Sequence, residues 1–249
     1  MTTIPENLKS VRNAITEAAL AAGRDPASIS LIAVSKTKPA EDVLAALAAG
    51  AQHFGENYVQ EAVAKIAEVG SGTAGLQPIW HYIGAIQSNK TKDIARAFDW
   101  VHTVSREKIA RRLNEQRPDG ARLSVCLQVN VDADPNKAGV APAEAAALLD
   151  ACLGLERLDV RGLMTILDPE TEPRDGYNRL RELFEDLRSR APACWDTLSM
   201  GMSGDYEAAI AAGATHVRVG TAIFGARESA QGAAHGAARS EARLAQGDS

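Results

Sequence analysis

The chain has 249 residues, 45% of them hydrophobic, enough to bury one large α/β barrel or two smaller domains. A formal net charge of -5 and a pI near 5.6 argue against a broad nucleic-acid footprint, and no apolar run approaches bilayer-spanning length. The three cysteines, Cys126, Cys152 and Cys194, are far apart in apolar surroundings, and the first residues, Met1 to Glu6, are unlike a signal peptide. Together these features predict reduced core thiols in a cytoplasmic protein.

A leading helix is predicted over residues 6–22. Apolar, strand-like runs then end near Ser35, Phe54, Ile83, Thr103, Asn130, Met164, Met200 and Val219. Helical periods follow most of them, over 40–49, 58–69, 90–97, 106–116, 142–151, 174–190 and 206–212. This alternation predicts a single closed (β/α)8 TIM-type barrel with an extra N-terminal helix rather than an open sheet. The run Leu47 to Gly55 is echoed by Ile210 to Arg218, each with a glycine (Gly50, Gly213) where a helix C-cap feeds the next strand. Arg111, Arg112 and Arg117 read as a solvated helix face. Residues 1–228 are expected to form the barrel domain, and the Ala-, Gly-, Ser-rich and charged stretch 229–249 a frayed or disordered tail.

Lys36 stands at the end of the apolar run Ser30 to Ser35, before the break at Thr37-Lys38-Pro39. Period-2 alternation puts Ile32, Val34 and Lys36 on one face of the strand. An amine on a face of buried aliphatics loses hydration, is deprotonated more easily, and can attack a carbonyl to form a Schiff base. A strand-end lysine that snorkels to solvent is the bland alternative. Lys38, beside Pro39, is expected to point to the opposite side of the loop.

Barrel chemistry sits where strands meet the following helices. The loops after the seventh and eighth strands, Ser199-Met200-Gly201-Met202-Ser203 and Arg218-Val219-Gly220-Thr221, are rich in glycine and hydroxyls. Barrels commonly hold a phosphate there, on free backbone N–H groups. Arg218 and Gly220 share a face, which turns the guanidinium toward the same site. An inward lysine facing two phosphate loops across one barrel mouth predicts a phosphorylated aldehyde held covalently, hence pyridoxal 5'-phosphate (PLP).

Three other patterns are set aside. Gly70-Ser71-Gly72-Thr73-Ala74-Gly75 matches a dinucleotide fingerprint in spelling, but a helix precedes it and a strand follows, so it is expected as a flexible loop at the opposite barrel end. Gly201-Met202-Ser203-Gly204-Asp205 ends in Asp where a nucleophile elbow has Gly. His53, His81, His102 and His216 fall in separate strands without a ligand pair between sequence neighbours. They are expected as core or hydrogen-bonded residues, and no metal is assigned.

The runs Ala33-Val34-Ser35-Lys36, Phe54-Gly55-Glu56-Asn57, His81-Tyr82-Ile83-Gly84 with Gln87-Ser88-Asn89-Lys90, and Gly162-Leu163-Met164-Thr165 occur in order. Ser199 to Asp205 and Arg218 to Gly225 follow them. The set resembles the pyridoxal phosphate homeostasis proteins, whose fold is that of the alanine racemase N-terminal barrel, over nearly all of the chain up to Arg227. The resemblance implies that Lys36 carries PLP as an internal aldimine. It further implies that Ser203, Gly220 and Thr221 hold the phosphate, that Arg218 faces the pyridine nitrogen, and that Asn57 is a ring-side contact. Ala85, within the Ile83 to Lys90 run, departs from the family pattern outside these positions.

Fold-type III racemases and decarboxylases resemble this barrel but add a β-domain, for which the residues after Arg227 are expected to be too few. Ile166 stands where the racemase barrel tends to carry His. Arginine keeps its proton, so Arg218 would leave the pyridine unprotonated and a weak electron sink, and racemisation also needs a second positioned acid–base group. The expected function is therefore intracellular PLP buffering or delivery without robust catalysis or catalytic residues. The partners are PLP and recipient apo-PLP enzymes, with no nucleic acid or membrane, in a monomer or weak dimer. Two alternatives stay open: a small fold-type III racemase or lyase with Tyr58 or His81 as second base, and a Schiff-base aldolase using Lys36 without PLP.

Overall fold

The computed structural model describes residues 2–72, 75–134 and 137–226. The expected tail, 229–249, lies outside the described residues. Helix α1 (Ile4–Ala21) starts at a capping box in which the Thr3 hydroxyl accepts from the Glu6 N–H, and the Glu6 carboxylate accepts from the Thr3 N–H. Its apolar residues Leu8, Val11, Ile15 and Ala19 recur at helical spacing and are buried.

Eight strands follow: β1 (Ser30–Val34), β2 (His53–Glu56), β3 (Ile79–Tyr82), β4 (Trp100–Val104), β5 (Leu123–Gln128), β6 (Leu158–Met164), β7 (Thr197–Ser199) and β8 (His216–Val219). They close in sequence order into a parallel barrel. The seam pairs β1 with β8, Ile32 opposite Arg218 and Ala33 opposite Val219. Helices α2 (Ala40–Ala48), α3 (Val59–Gly72), α4 (Thr91–Ala97), α5 (Glu107–Gln116), α6 (Ala145–Leu153), α7 (Pro173–Asp186), α8 (Tyr206–Ala211) and α9 (Thr221–Phe224) surround it. Helix α1 packs on α2, α8 and α9, and the Asn7 amide donates to the Ile223 carbonyl. The expected barrel is the fold observed.

Period-2 alternation sorts each strand between two environments. Phe54, Trp80, Val101, Leu127, Leu163, Leu198 and Val217 face the helices in one continuous apolar core. Their neighbours point into the lumen, where Trp100, Cys126 and Met164 form a small separate cluster. The two echoed glycines take the left-handed backbone required after a helix end, with φ of 89° at Gly50 and 106° at Gly213.

Four local expectations need correction. Strand β1 ends at Val34, so Lys36 lies in the turn that follows. Helix α3 runs on to Gly72 and takes up half of the expected Gly-rich loop. Arg117 is buried rather than solvated: its guanidinium donates to the carbonyls of Ala95, Phe98 and Arg122 and so fastens α4 to the end of α5. Cys194 is only half-buried, whereas Cys126 and Cys152 are core residues.

Candidate functional site

A cavity of about 240 Å³ opens at the C-terminal mouth of the barrel. Its wall includes Lys36, Asn57, Ser203, Arg218, Gly220 and Thr221, so all six residues singled out from the sequence meet there. Val34, Ile83, Met202 and Phe224 supply apolar surface between them.

The turn bearing Lys36 is built from beneath. Ser35 N–H donates to the Gly55 carbonyl, and Ser35 Oγ donates to Glu56 Oε1 at 2.7 Å. Buried Lys65 on α3 donates to the Ser35 carbonyl, to Glu56 and to Glu61, each within 2.8 Å. Glu61 in turn accepts from the Thr37 N–H at 2.6 Å, fixing Thr37 at a φ of 62° that a β-branched residue seldom adopts. Burial raises the Glu56 carboxyl pKa, against the opposing hydrogen bond and charge of Lys65. The short ion network thus sets the position and direction of Lys36.

That left-handed step also overturns the expectation for Lys38. Its side chain reaches the same cavity, and its ammonium donates to the Ala226 carbonyl at 3.0 Å.

Asn57 enters the wall because Gly84 lets its backbone pass: a Cβ on Gly84 would collide with the Asn57 carbonyl oxygen. Asn57 Oδ1 is buried without a hydrogen-bond partner, an unsatisfied acceptor at the cavity edge. Across the mouth, the Met202–Ser203 loop is shaped by Asp205, whose carboxylate accepts from the Met202 N–H at 2.6 Å. This explains the Asp that spoils the nucleophile-elbow pattern. Gly220 caps α9 and Thr221 begins it, so the first N–H groups of that turn have no intrahelical partner.

Arg218 forms the floor. Nη1 donates to Ser199 Oγ and Nη2 to the Thr165 carbonyl, both at 2.9 Å. Burial lowers the guanidinium pKa, and Tyr177 and Asp205 oppose that by their charge, but an arginine remains a donor.

Below the floor lies what sequence reasoning missed. His53 Nδ1 meets His81 Nε2 at 2.9 Å, His81 Nδ1 meets His102 Nε2 at 2.8 Å, and His102 Nδ1 meets Ser199 Oγ at 2.8 Å. The available signal was that each histidine occupies an inward position, two residues further along than the pairing partner of the one before. His53 pairs with Ile79, and His81 pairs with Trp100. Neither suggested second base lines the cavity: His81 is fully buried in the lumen, and Tyr58 is exposed beside a neighbouring hollow.

The profile of the family described as alanine racemase, N-terminal domain, matches residues 7–228. A pyridoxal phosphate homeostasis protein of Pseudomonas aeruginosa is 55% identical over 232 residues, covering 92% of this chain and 97% of that one. Its Escherichia coli K12 counterpart is 49% identical over 233 residues, covering 92% and 98%. Among solved structures, PipY of Synechococcus elongatus with PLP bound superposes with a TM-score of 0.78 at 38% identity, covering 90% of this chain and all of that one. Alanine racemase of Corynebacterium glutamicum shares the fold at a TM-score of 0.64 and 18% identity, with 87% of this chain matched to 60% of that one. The barrel, its motifs and these relatives together make this chain a member of the pyridoxal phosphate homeostasis protein family.

Proposed function

We propose that this protein binds PLP through Lys36 and serves its homeostasis in the cell, buffering the cofactor or delivering it to apo-enzymes rather than turning over substrates. The observation that carries the reading is the convergence of Lys36, the Ser203 and Gly220–Thr221 loops, and Arg218 on one cavity. The names of the relatives and the PLP bound to PipY agree with it.

The residues fit the cofactor on their own chemistry. Lys36 would hold the cofactor through its aldehyde group, and because water reverses such a linkage, one bond would serve both storage and release. Ser203, Thr221 and the N–H groups at the start of α9 suit a phosphate dianion. Nη1 and Nη2 of Arg218 each spend one N–H on Ser199 and Thr165, which leaves three of its five N–H donors, and a donor among these would meet a ring nitrogen and hold it unprotonated. Asn57 Oδ1 offers its unused acceptor at the ring's edge.

The described residues on the cavity wall include three titratable side chains, Lys36, Lys38 and Arg218. A racemase or lyase needs a second acid–base group beside the anchoring lysine, and Lys38 alone is placed for that. Its ammonium is held on the Ala226 carbonyl, which favours the carrier reading. We place the protein in the cytoplasm as a monomer or weak dimer; no helix among the described residues is long and apolar enough to cross a membrane.

The test mixes PLP-loaded protein with an apo-form PLP enzyme and follows recovered activity, beside an amino-acid panel with chiral analysis on the same preparation. Recovery without turnover is the expected result. Turnover that vanishes in Lys36→Ala would replace the carrier with the enzyme.

A further inference from the structure

The lumen holds an unbroken line of hydrogen bonds: Arg218, Ser199, His102, His81, His53. We propose that this line is a positioning device with a fixed direction, which holds Ser199 as the acceptor for Arg218 and locks all three imidazoles in the Nε2–H tautomer. The proposal rests on the reading that Arg218 faces the pyridine nitrogen, since that gives the held guanidinium its purpose.

The direction follows from donor counting. Arg218 can only donate, so one lone pair of Ser199 Oγ is taken. Ser199 is fully buried, and its partners among the described residues are Arg218 and His102. If His102 Nδ1–H also donated to it, the hydroxyl proton would be a buried donor with no acceptor, which folded proteins avoid. The hydroxyl therefore donates to His102 Nδ1.

A neutral imidazole whose Nδ1 accepts must carry its proton on Nε2. His102 then donates to His81 Nδ1, and His81 donates to His53 Nδ1, so one ring's state dictates the next. The line ends at His53, half-buried beside Gln52 and Ser30 in a hollow at the opposite barrel mouth.

Every Nδ1 lone pair in the line is occupied, so no ring can take a proton without breaking a bond. Burial and the neighbouring rings keep both His81 and His102 well below the ordinary histidine range, and the charge of Arg218 acts the same way on His102. His216 faces the line from β8, with ring centroids 6.0 Å from His81 and 6.1 Å from His102, and is held on Thr215 Oγ1. Arg161, stacked 4.9 Å from the Trp100 ring, adds a further positive charge, while Asp99 and Asp196 are the acidic groups near the His53 and His216 ends. A proton path to the cofactor is a different device, and this line cannot be one, because the guanidinium at its end does not release a proton.

The test is imidazole nitrogen NMR on the PLP-free, full-length protein, which needs no variant and no bound cofactor. The expected result is three rings with protonated Nε2 and bare Nδ1 at neutral pH. A protonated Nδ1 on His53, His81 or His102, or a mixture of tautomers, would overturn the proposal. Ser199→Ala then cuts the line above His102, with Ser199→Thr as the conservative control and circular dichroism confirming folding. Expected are a His102 tautomer mixture, a shifted absorption band of bound PLP and roughly 3- to 10-fold weaker PLP binding in Ser199→Ala, corresponding to one hydrogen bond. Ser199→Thr is expected to restore all three. Wild-type behaviour of Ser199→Ala in all three readouts would also overturn it. An Arg218→Gln protein with an unaltered PLP spectrum would instead defeat the pyridine-facing reading, while the tautomers measured without PLP still judge the line.

Discussion

The shell between barrel and helices and the lumen inside the barrel are built from the same strands, yet by opposite means. Alternate residues such as Phe54, Val101, Leu127 and Val217 fill the shell with non-directional apolar contacts. Their immediate neighbours His53, His102 and Arg218 fill the lumen with bonds that tolerate one geometry. Barrel interiors are usually packed with branched aliphatics, so a polar lumen is a departure from what stability alone selects. The difference teaches that the shell makes the fold and the lumen orients the site.

The largest expected effect breaks the shell. Phe54→Ala removes a fully buried ring and is expected to cost about 3–5 kcal/mol, read by denaturant unfolding, while PLP still binds. If the variant kept its stability and lost the cofactor, the division between shell and lumen would be wrong.

Lys65→Met attacks the ionic exception within the shell. It strands buried Glu56 and is expected to cost roughly 3 kcal/mol near neutral pH. Without Lys65 the raised Glu56 pKa rises further. That carboxyl's contribution is then present at acid pH and lost as pH rises through its folded pKa, so the variant's deficit should grow as pH rises above the ordinary carboxylate range. A pH-independent deficit would show that Glu56 is not the group left behind.

Acid sharpens the contrast from the other side. His81 and His102 are held well below 6.5, and His216 is pushed down to about 3, first of all by burial. A lowered histidine pKa means the unfolded chain takes protons first. Stability from these rings is therefore full above pH 6.5 and lost as pH falls toward about 3. Each ring contributes a slope of up to about 1.4 kcal/mol per pH unit. His216→Asn should flatten the slope of stability against pH; an unchanged slope would remove that ring from the account.

The smallest effect concerns the Ser203 and Thr221 loops alone. Ser203→Ala or Thr221→Val should weaken PLP binding about 10-fold, the worth of one charge-assisted hydrogen bond, with no change in melting temperature. Equal binding of pyridoxal lacking the phosphate would show that these loops do not hold it.

Much of this was legible in the sequence, because the local period carried it. Most strand ends, the helix spans and the glycine pair Gly50 and Gly213 depend on neighbours in the chain, whereas Lys36 is set by a turn that Glu56, Glu61 and Lys65 hold from β2 and α3. What depended on the stagger between strands was not legible. The histidines line up because each pairing places the next ring one inward step higher, which no single strand reveals. Lys38 was misplaced because the left-handed Thr37 turns it back into the cavity, and that turn is held by Glu61 from another element. Arg117 was misjudged for a similar reason: its partners are carbonyls contributed by distant turns.

Lys36 and Lys38 share one cavity, so the central claim reduces to which amine takes the cofactor. The direct measurement is borohydride reduction of the PLP-loaded protein, followed by peptide mapping of the label. The account predicts the label on Lys36 and its loss, with the fold retained, in Lys36→Ala. A label on Lys38, or a Lys36→Ala protein that is still trapped, would contradict it.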